Sequence, residues 1–250
     1  MTDYRISFQL YSARKFPPVE GQLEALAAIG YDAVEPYRGA YGDDPAGFRK
    51  MLDTYGLACP TAHIGLADLD ADIDAVVETA GVLGLETVII PAIPAEERSQ
   101  DANGWKALGE KISAHAEALK ARGLKLAWHN HDFEYVTLPD GSRPIDHLLA
   151  GADVMWEPDI GWIVRAKRDV ASELARFSGK VVALHIKDTA PDGVTADDGW
   201  TDVGAGTIDW RALWPAIETT GSNLLVLEHD EPSDWRSFAE NSYTFLTGKQ

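Results

Sequence analysis

Short apolar runs alternate with longer amphipathic segments eight times along this chain, and few folds accommodate that rhythm. The apolar runs are residues 6–10, 33–35, 58–64, 87–91, 124–131, 154–159, 181–187 and 224–229. Brief apolar stretches bounded by turn residues read as buried parallel strands, and the segments between them as crossover helices. Helices are expected at 17–29, 44–55, 70–83, 105–122, 146–149, 170–177, 210–219 and 235–246, with Gly30 and Gly123 as stop signals. A doubly wound open sheet shares this alternation. It would place a glycine-rich phosphate loop after the first strand, where Ser7-Phe8-Gln9-Leu10-Tyr11 stands instead. Eight units in 250 residues, with no linker or low-complexity tract, predict one α/β domain over 1–250, a (β/α)8 TIM barrel.

Charge and cysteine usage narrow the partners. The formal net charge of −18 repels phosphate backbones, so nucleic-acid binding is not expected. No apolar run approaches the ~18 residues of a membrane helix. The segment Met1-Thr2-Asp3-Tyr4-Arg5 has no basic stretch leading into an apolar one, so no secretory leader is expected. Cys59 is the single cysteine and cannot form an internal disulfide. A cytoplasmic protein acting on small molecules, with a homo-oligomer left open, is the expectation.

Active sites of such barrels lie at the C-terminal strand ends. Here those ends carry Glu35, His63, the run His129-Asn130-His131-Asp132-Phe133-Glu134, then Glu157-Pro158-Asp159, His185 with Lys187 and Asp188, and Glu228-His229-Asp230. Alternation divides each strand into a bulky and a polar face. Ala127, His129 and His131 share one face of strand five; Met155, Glu157 and Asp159 of strand six; Ala183, His185 and Lys187 of strand seven; Val226, Glu228 and Asp230 of strand eight. The bulky faces suit the helix ring, so the polar ones point inward. Inward charge is costly unless paired or bound to a metal, and a divalent cation is the simplest neutraliser. Oxygen and imidazole donors without thiolates suit Mn²⁺, Mg²⁺, Co²⁺ or Fe²⁺, with Zn²⁺ also open. Taken singly, His185 and Glu228 are also compatible with a hydrogen-bonded core histidine and a buried ion-pair partner of Lys187. Asp132 reads as a turn or cap residue, and Glu157, one layer below Asp159, as structural. Trp162 fits either the core or the aromatic wall of a sugar site.

Three segments carry a family resemblance: Trp128 to Glu134, Glu157-Pro158-Asp159-Ile160-Gly161-Trp162, and His185-Ile186-Lys187-Asp188. Supporting motifs are Tyr31 to Glu35, Thr61-Ala62-His63, Val203 to Trp210 and Leu227 to Asp230. Together they resemble the sugar phosphate isomerase/epimerase family of the xylose-isomerase-like barrel superfamily. The resemblance implies a divalent metal, usually Mn²⁺, held by Asp159, His185 and Glu228. Ketose epimerases of the superfamily place a glutamate within strand five, where this chain has Trp128-His129-Asn130-His131. That leaves His131, Glu134 or both as the ligand there. The implied activity is isomerisation or epimerisation of a keto-sugar or inositol-type substrate by proton abstraction next to a carbonyl. The enediolate charge would be stabilised by the metal. Glu228 and Glu134 would serve as acid and base, Lys187 would polarise or protonate an oxygen, and Glu35, His63, Asn130 and Trp162 would bind substrate. A lyase or dehydratase using the same metal site is the alternative. A non-catalytic sugar-binding barrel and an endonuclease on abasic DNA rank behind both.

Overall fold

A computed structural model describes residues 4–248; residues 1–3, where the leader reading begins, and 249–250 lie outside the described residues. Eight parallel strands form two four-stranded sheets: β1 (Arg5–Gln9), β2 (Ala33–Glu35), β3 (Thr61–His63), β4 (Thr87–Ile90), β5 (Lys125–His129), β6 (Val154–Glu157), β7 (Leu184–Ile186) and β8 (Leu224–Leu227). One sheet has the order β2-β1-β8-β7, the other β3-β4-β5-β6. Isolated parallel bridges, Ala33 with Ala58 and Tyr37 with His63 on one side and Trp156 with Val181 and Asp159 with His185 on the other, join the two sheets into a closed barrel. The helix ring consists of α1 (Val19–Ile29), α2 (Pro45–Tyr55), α3 (Ile73–Leu83), α4 (Ala102–Lys120), α5 (Pro144–Leu148), α6 (Val170–Arg176), α7 (Trp210–Thr219) and α8 (Trp235–Thr247). Among the described residues no helix is long and apolar enough to cross a membrane.

The strand faces divide as the alternation predicts. Phe8, Val34, Ala62, Val88, Leu126, Trp128, Trp156, Leu184 and Leu225 belong to the large core between the strands and the helix ring. Ala183, Leu224 and Val226 form a separate small cluster on the opposite face, the barrel interior. Trp128 and Trp156 are among the largest fully buried side chains. An aromatic of that size buries about 150–250 Å², or at most about 4–6 kcal/mol of transfer free energy. The outer face therefore supplies the barrel's adhesion, and the upper interior is left to polar groups.

Helix starts use the acidic residues. Asp44, Asp72, Asp101, Asp169, Asp209 and Asp234 each accept backbone N–H bonds at the N-terminus of a ring helix. Part of the net charge thus caps helices and favours their dipoles. Some elements have no counterpart in the hydrophobic pattern. Short helices at Arg38–Tyr41, Leu66–Ala71 and Ile160–Arg165 sit on the loops above the strands. The pair Asp188–Thr189 and Trp200–Thr201 forms an antiparallel ribbon over the seventh strand. Each is too short for a periodicity to register.

Candidate metal centre at the barrel mouth

The inward side chains of seven strands or their ends meet in two polar layers. In the lower layer Glu35 Oε1 accepts from Gln9 Nε2 at 2.8 Å and lies 2.8 Å from His185 Nε2 and 3.1 Å from His63 Nε2. Glu157 Oε2 lies 3.2 Å from His63 Nε2, 3.1 Å from His185 Nε2 and 3.4 Å from His129 Nδ1. In the upper layer His185 Nδ1 lies 3.0 Å from Glu228 Oε2 and 4.0 Å from Asp159 Oδ2, with His129 Nε2 3.9 Å from Asp159 Oδ2. Lys187 donates into the same layer, reaching Glu228 Oε2 at 3.1 Å, Asp159 Oδ2 at 3.4 Å and Asp230 Oδ1 at 2.8 Å. Two groups of donors lie close enough to share a cation: His63, His129, Glu157 and His185, and His129, Asp159, His185 and Glu228. All of these side chains are buried.

Burial and neighbours set the charge states. Burial pushes the His63 imidazole down, but Glu35 and Glu157 overcome it and hold the group up at about 9. His185 is likewise raised, because Glu157, Glu228 and Glu35 together outweigh its burial. His129 and His131 lack that compensation; burial carries both down, His131 to about 3, so both are neutral. The mouth carboxylates diverge. Burial raises Asp159 to about 6 despite Lys187. Glu228, nearer to both Lys187 and His185, is held well below the usual carboxylate range against its burial. Lys187 is raised, since Asp159, Asp230 and Glu228 more than offset the cost of burying it.

The loops are built to hold these groups. Asp159 caps the helix Ile160–Arg165 through Oδ1 and Trp162 N, at 2.8 Å, leaving Oδ2 for the mouth. Gly161 brings that helix against the seventh strand. A Cβ there would lie 2.9 Å from Lys187 O and 2.9 Å from the Trp200 ring. The indoles of Trp200 and Trp162 lie 4.6 and 5.3 Å from Lys187 Nζ, measured to the ring centroids, opposing the carboxylates with aromatic faces. Asp188, next in the chain, collects N–H groups from Thr189, Gly204, Gly206, Ile208 and the Trp210 indole, at 2.7–3.3 Å. It pins the loop that carries Trp200 and takes no part in the mouth.

Above the donors opens a cavity of about 450 Å³, lined among others by Tyr11, Tyr37, His63, His131, Glu228 and Asp230. Arg38 also borders it, but its guanidinium is paired with Asp43 at 2.7 Å.

Of the residues expected at the site, Glu35, His63, Asp159, His185, Lys187 and Glu228 come together. Trp162 borders the group, and its indole N–H is buried without a hydrogen-bond partner. His131 reaches the cavity wall but neither donor group. Glu134 is turned away, contrary to its expected place as ligand and proton carrier. Its two oxygens accept from Trp128 Nε1 at 2.9 Å and from His131 N at 2.8 Å, closing the turn after the fifth strand. Asn130 is also turned from substrate: Oδ1 accepts from Trp156 Nε1 and Asp159 N, and Nδ2 donates to Asp159 O. It holds the bend that presents Asp159. Two donors were not expected as ligands from sequence: His129, which had no role assigned, and Glu157, which was read as structural. His129 has the inward parity of His131, and parity alone could have found it. Glu157 does lie one layer below Asp159, and that layer holds His63, His129 and His185 as well.

A family model described as the xylose isomerase-like TIM barrel matches residues 23–246. The rhizopine catabolism protein MocC of Rhizobium meliloti is 25% identical over 248 residues, covering 86% of this chain and 75% of that protein. The inosose dehydratase of Salmonella typhimurium is 25% identical over 227 residues, covering 76% of this chain and 74% of the relative. Among solved structures, a sugar phosphate isomerase/epimerase from Parabacteroides distasonis superposes with a TM-score of 0.80 at 19% identity over 98% of both chains. The IolI protein with a bound zinc atom gives 0.75 at 17% identity, over 98% of this chain and 95% of the other.

Proposed function

This chain belongs to the xylose isomerase-like TIM barrel family, and from that premise we propose that it is a divalent-metal-dependent isomerase or epimerase of a non-phosphorylated keto-sugar or inositol-type substrate. The observation that carries the reading is the convergence of Asp159 Oδ2, His185 Nδ1 and Glu228 Oε2 beside Lys187 at the floor of an open cavity. The donor set fits a divalent cation. It is all oxygen and imidazole, it carries excess negative charge, His129 stands beside it as a fourth donor, and the cavity above gives a substrate access to the ion. Manganese is the ion expected from the family resemblance, and the zinc in IolI makes zinc an equal candidate. Bound there, the cation supplies Lewis-acid polarisation of a carbonyl and orients adjacent substrate oxygens.

The protein's own groups do the rest. Glu228, ionised and on the cavity wall, accepts the proton from the carbon next to the carbonyl. Lys187, held between carboxylates and two indoles, donates to the oxygen on which negative charge develops. His131, neutral and with a buried, unpartnered Nδ1, and the Trp162 indole N–H offer polar contacts for hydroxyls. Tyr11 and Tyr37, in edge-to-face contact at 5.4 Å, wall the opposite side. The one guanidinium on the cavity lining is paired with Asp43, and Asp68 and Asp230 line the same space, which disfavours a phosphate group. Incubating candidate ketoses and inososes with the metal-loaded protein in D2O tests the mechanism. Each substrate that turns over is expected to carry deuterium at the carbon beside the carbonyl; turnover without exchange at that carbon refutes it.

The inosose dehydratase relative favours a second reading, in which the same proton abstraction is followed by loss of a β hydroxyl. A product lighter by one water separates elimination from isomerisation.

A further inference from the structure

We propose that a small cavity beside the mouth, framed by the short helices Arg38–Tyr41 and Leu66–Ala71, is a subsite for a second, neutral sugar ring, so that the substrate is a glycoside of the keto-sugar held at the donors. The inference rests on the reading of the mouth as a keto-sugar site and names the substrate class that site takes.

Position is the first support. Strands two and three lie across the barrel from strands six and seven, whose ends supply Asp159 and His185. The mouth cavity spans that width, from Glu228 and His129 to Arg38 and Asp68. A second cavity of about 160 Å³ begins at the same two residues and continues over Ile64 to Ala75, Val76 and Thr79 of α3. A ligand fixed at the donors and longer than one ring therefore meets Arg38 and Asp68 next, with the second cavity behind them. Size agrees. At about 450 Å³ the mouth alone falls within the range of sites for drug-sized ligands, roughly 300–1,000 Å³, and a single six-carbon ring leaves part of it empty.

The partition between the cavities is easily moved. Arg38 reaches Asp43 through one nitrogen at 2.7 Å, and the two side chains are 59% and 94% exposed. An ion pair that wet contributes little, so the guanidinium can turn toward a ligand at small cost. Asp68 is held in place instead. Its Oδ2 accepts from Gly65 N at 3.2 Å at the start of its own helix, which leaves Oδ1 for a ligand.

The lining sets the chemistry of the occupant. Ile64 and Val76 are buried and, with Ala75, supply apolar surface. Around it stand Arg38 as a donor, Asp68 and Asp72 as acceptors, and the Tyr41 hydroxyl, which can be either. Apolar surface with a few groups of both kinds suits the C–H face and the hydroxyls of a sugar ring. Two carboxylates beside one guanidinium that is already paired disfavour an anionic substituent. A plain alkyl group would strip water from these polar groups and return no hydrogen bonds.

The test reads binding, not turnover. Turanose, maltulose, leucrose and palatinose are each a glucosyl unit on D-fructose, joined through a different fructose oxygen in each. Their dissociation constants for the Mn²⁺-loaded full chain are measured by calorimetry beside that of D-fructose. At least one disaccharide should bind about tenfold or more tighter than fructose, the worth of one or two net hydrogen bonds. That ratio should fall toward one in Ala75→Phe, whose ring takes up the second cavity from an exposed helix position, and should drop several-fold in Arg38→Ala. No disaccharide tighter than fructose, or no binding by any of the five sugars, overturns the subsite whether or not the variants fold. An advantage that survives both substitutions overturns it too. Tight disaccharide binding without exchange in D2O would instead remove the isomerase reading and leave the subsite standing.

Discussion

Replacing Lys187 with methionine probes the mouth most sharply, because the ammonium and the proposed cation serve the same carboxylates. Lys187 Nζ stands 2.8 Å from Asp230, 3.1 Å from Glu228 and 3.4 Å from Asp159. At an effective dielectric of about 20, each contact has a gross Coulomb energy of roughly 5–6 kcal/mol. Desolvating the charges cancels most of it. Removing one partner of a buried ionic group typically costs about 3–5 kcal/mol, since the remaining charges stay buried and unpaired. In chelated protein, Lys187→Met should therefore lower the melting temperature by about 6–20 °C, taking about 2–4 °C per kcal/mol for a chain of this size. Saturating Mn²⁺ or Zn²⁺ should shrink that deficit, because the ion neutralises Asp159 and Glu228 in place of the ammonium. The variant should also bind the ion more tightly than the parent, having lost a tethered competitor. The assay is a pair of thermal melts, with chelator and with metal, plus a metal titration by competition with a chromophoric chelator. An equal deficit in both melts, or weaker metal binding by the variant, would refute the idea that ammonium and metal share these carboxylates.

Other perturbations probe the supporting structure. Gly206→Ala would set a Cβ 2.2 Å from Asp188 Oδ1 and 2.5 Å from Thr189 O. It should cost several-fold in activity by displacing the loop that carries Trp200, with a loss of near-UV circular dichroism as the structural readout. Glu134→Gln presents an amide NH2 to one of two N–H donors and should destabilise by about 1–3 kcal/mol in a urea melt, with metal affinity unchanged. Loss of metal binding instead would restore Glu134 as a ligand. In metal-free protein, His63 is held at about 9, above the 6.5 of a free imidazole. Its contribution to stability is complete below pH 6.5 and is lost as pH rises through 9, so His63→Gln should flatten the stability profile across that window. A parent profile already flat between pH 6.5 and 9 would contradict this.

The barrel was legible because its signal is repetitive: eight short apolar runs alternate with eight amphipathic segments. The mouth residues on strands six to eight were legible by parity, since Asp159, His185, Lys187 and Glu228 each fall on the inward beat. Strand five was not. Its pattern continues through His131, but the strand ends at His129, and the turn Phe133–Tyr135 folds Glu134 back under Trp128. Nothing in the alternation marks where a strand stops. Asn130 looked available for substrate because its hydrogen bonds run to Trp156 and Asp159, 26 and 29 residues away. Glu157 looked merely structural because strand tilt, which brings side chains from non-adjacent strands to one level, is not written in any single strand.

The central claim is that Asp159, His185 and Glu228 hold a divalent cation beside Lys187. Anomalous diffraction from crystals of the Mn²⁺-loaded protein, collected on both sides of the manganese edge, tests it directly. A difference peak within bonding distance of Asp159 Oδ2, His185 Nδ1 and Glu228 Oε2 is the predicted result. A peak at His131 or Glu134, or no peak at the mouth, would contradict it.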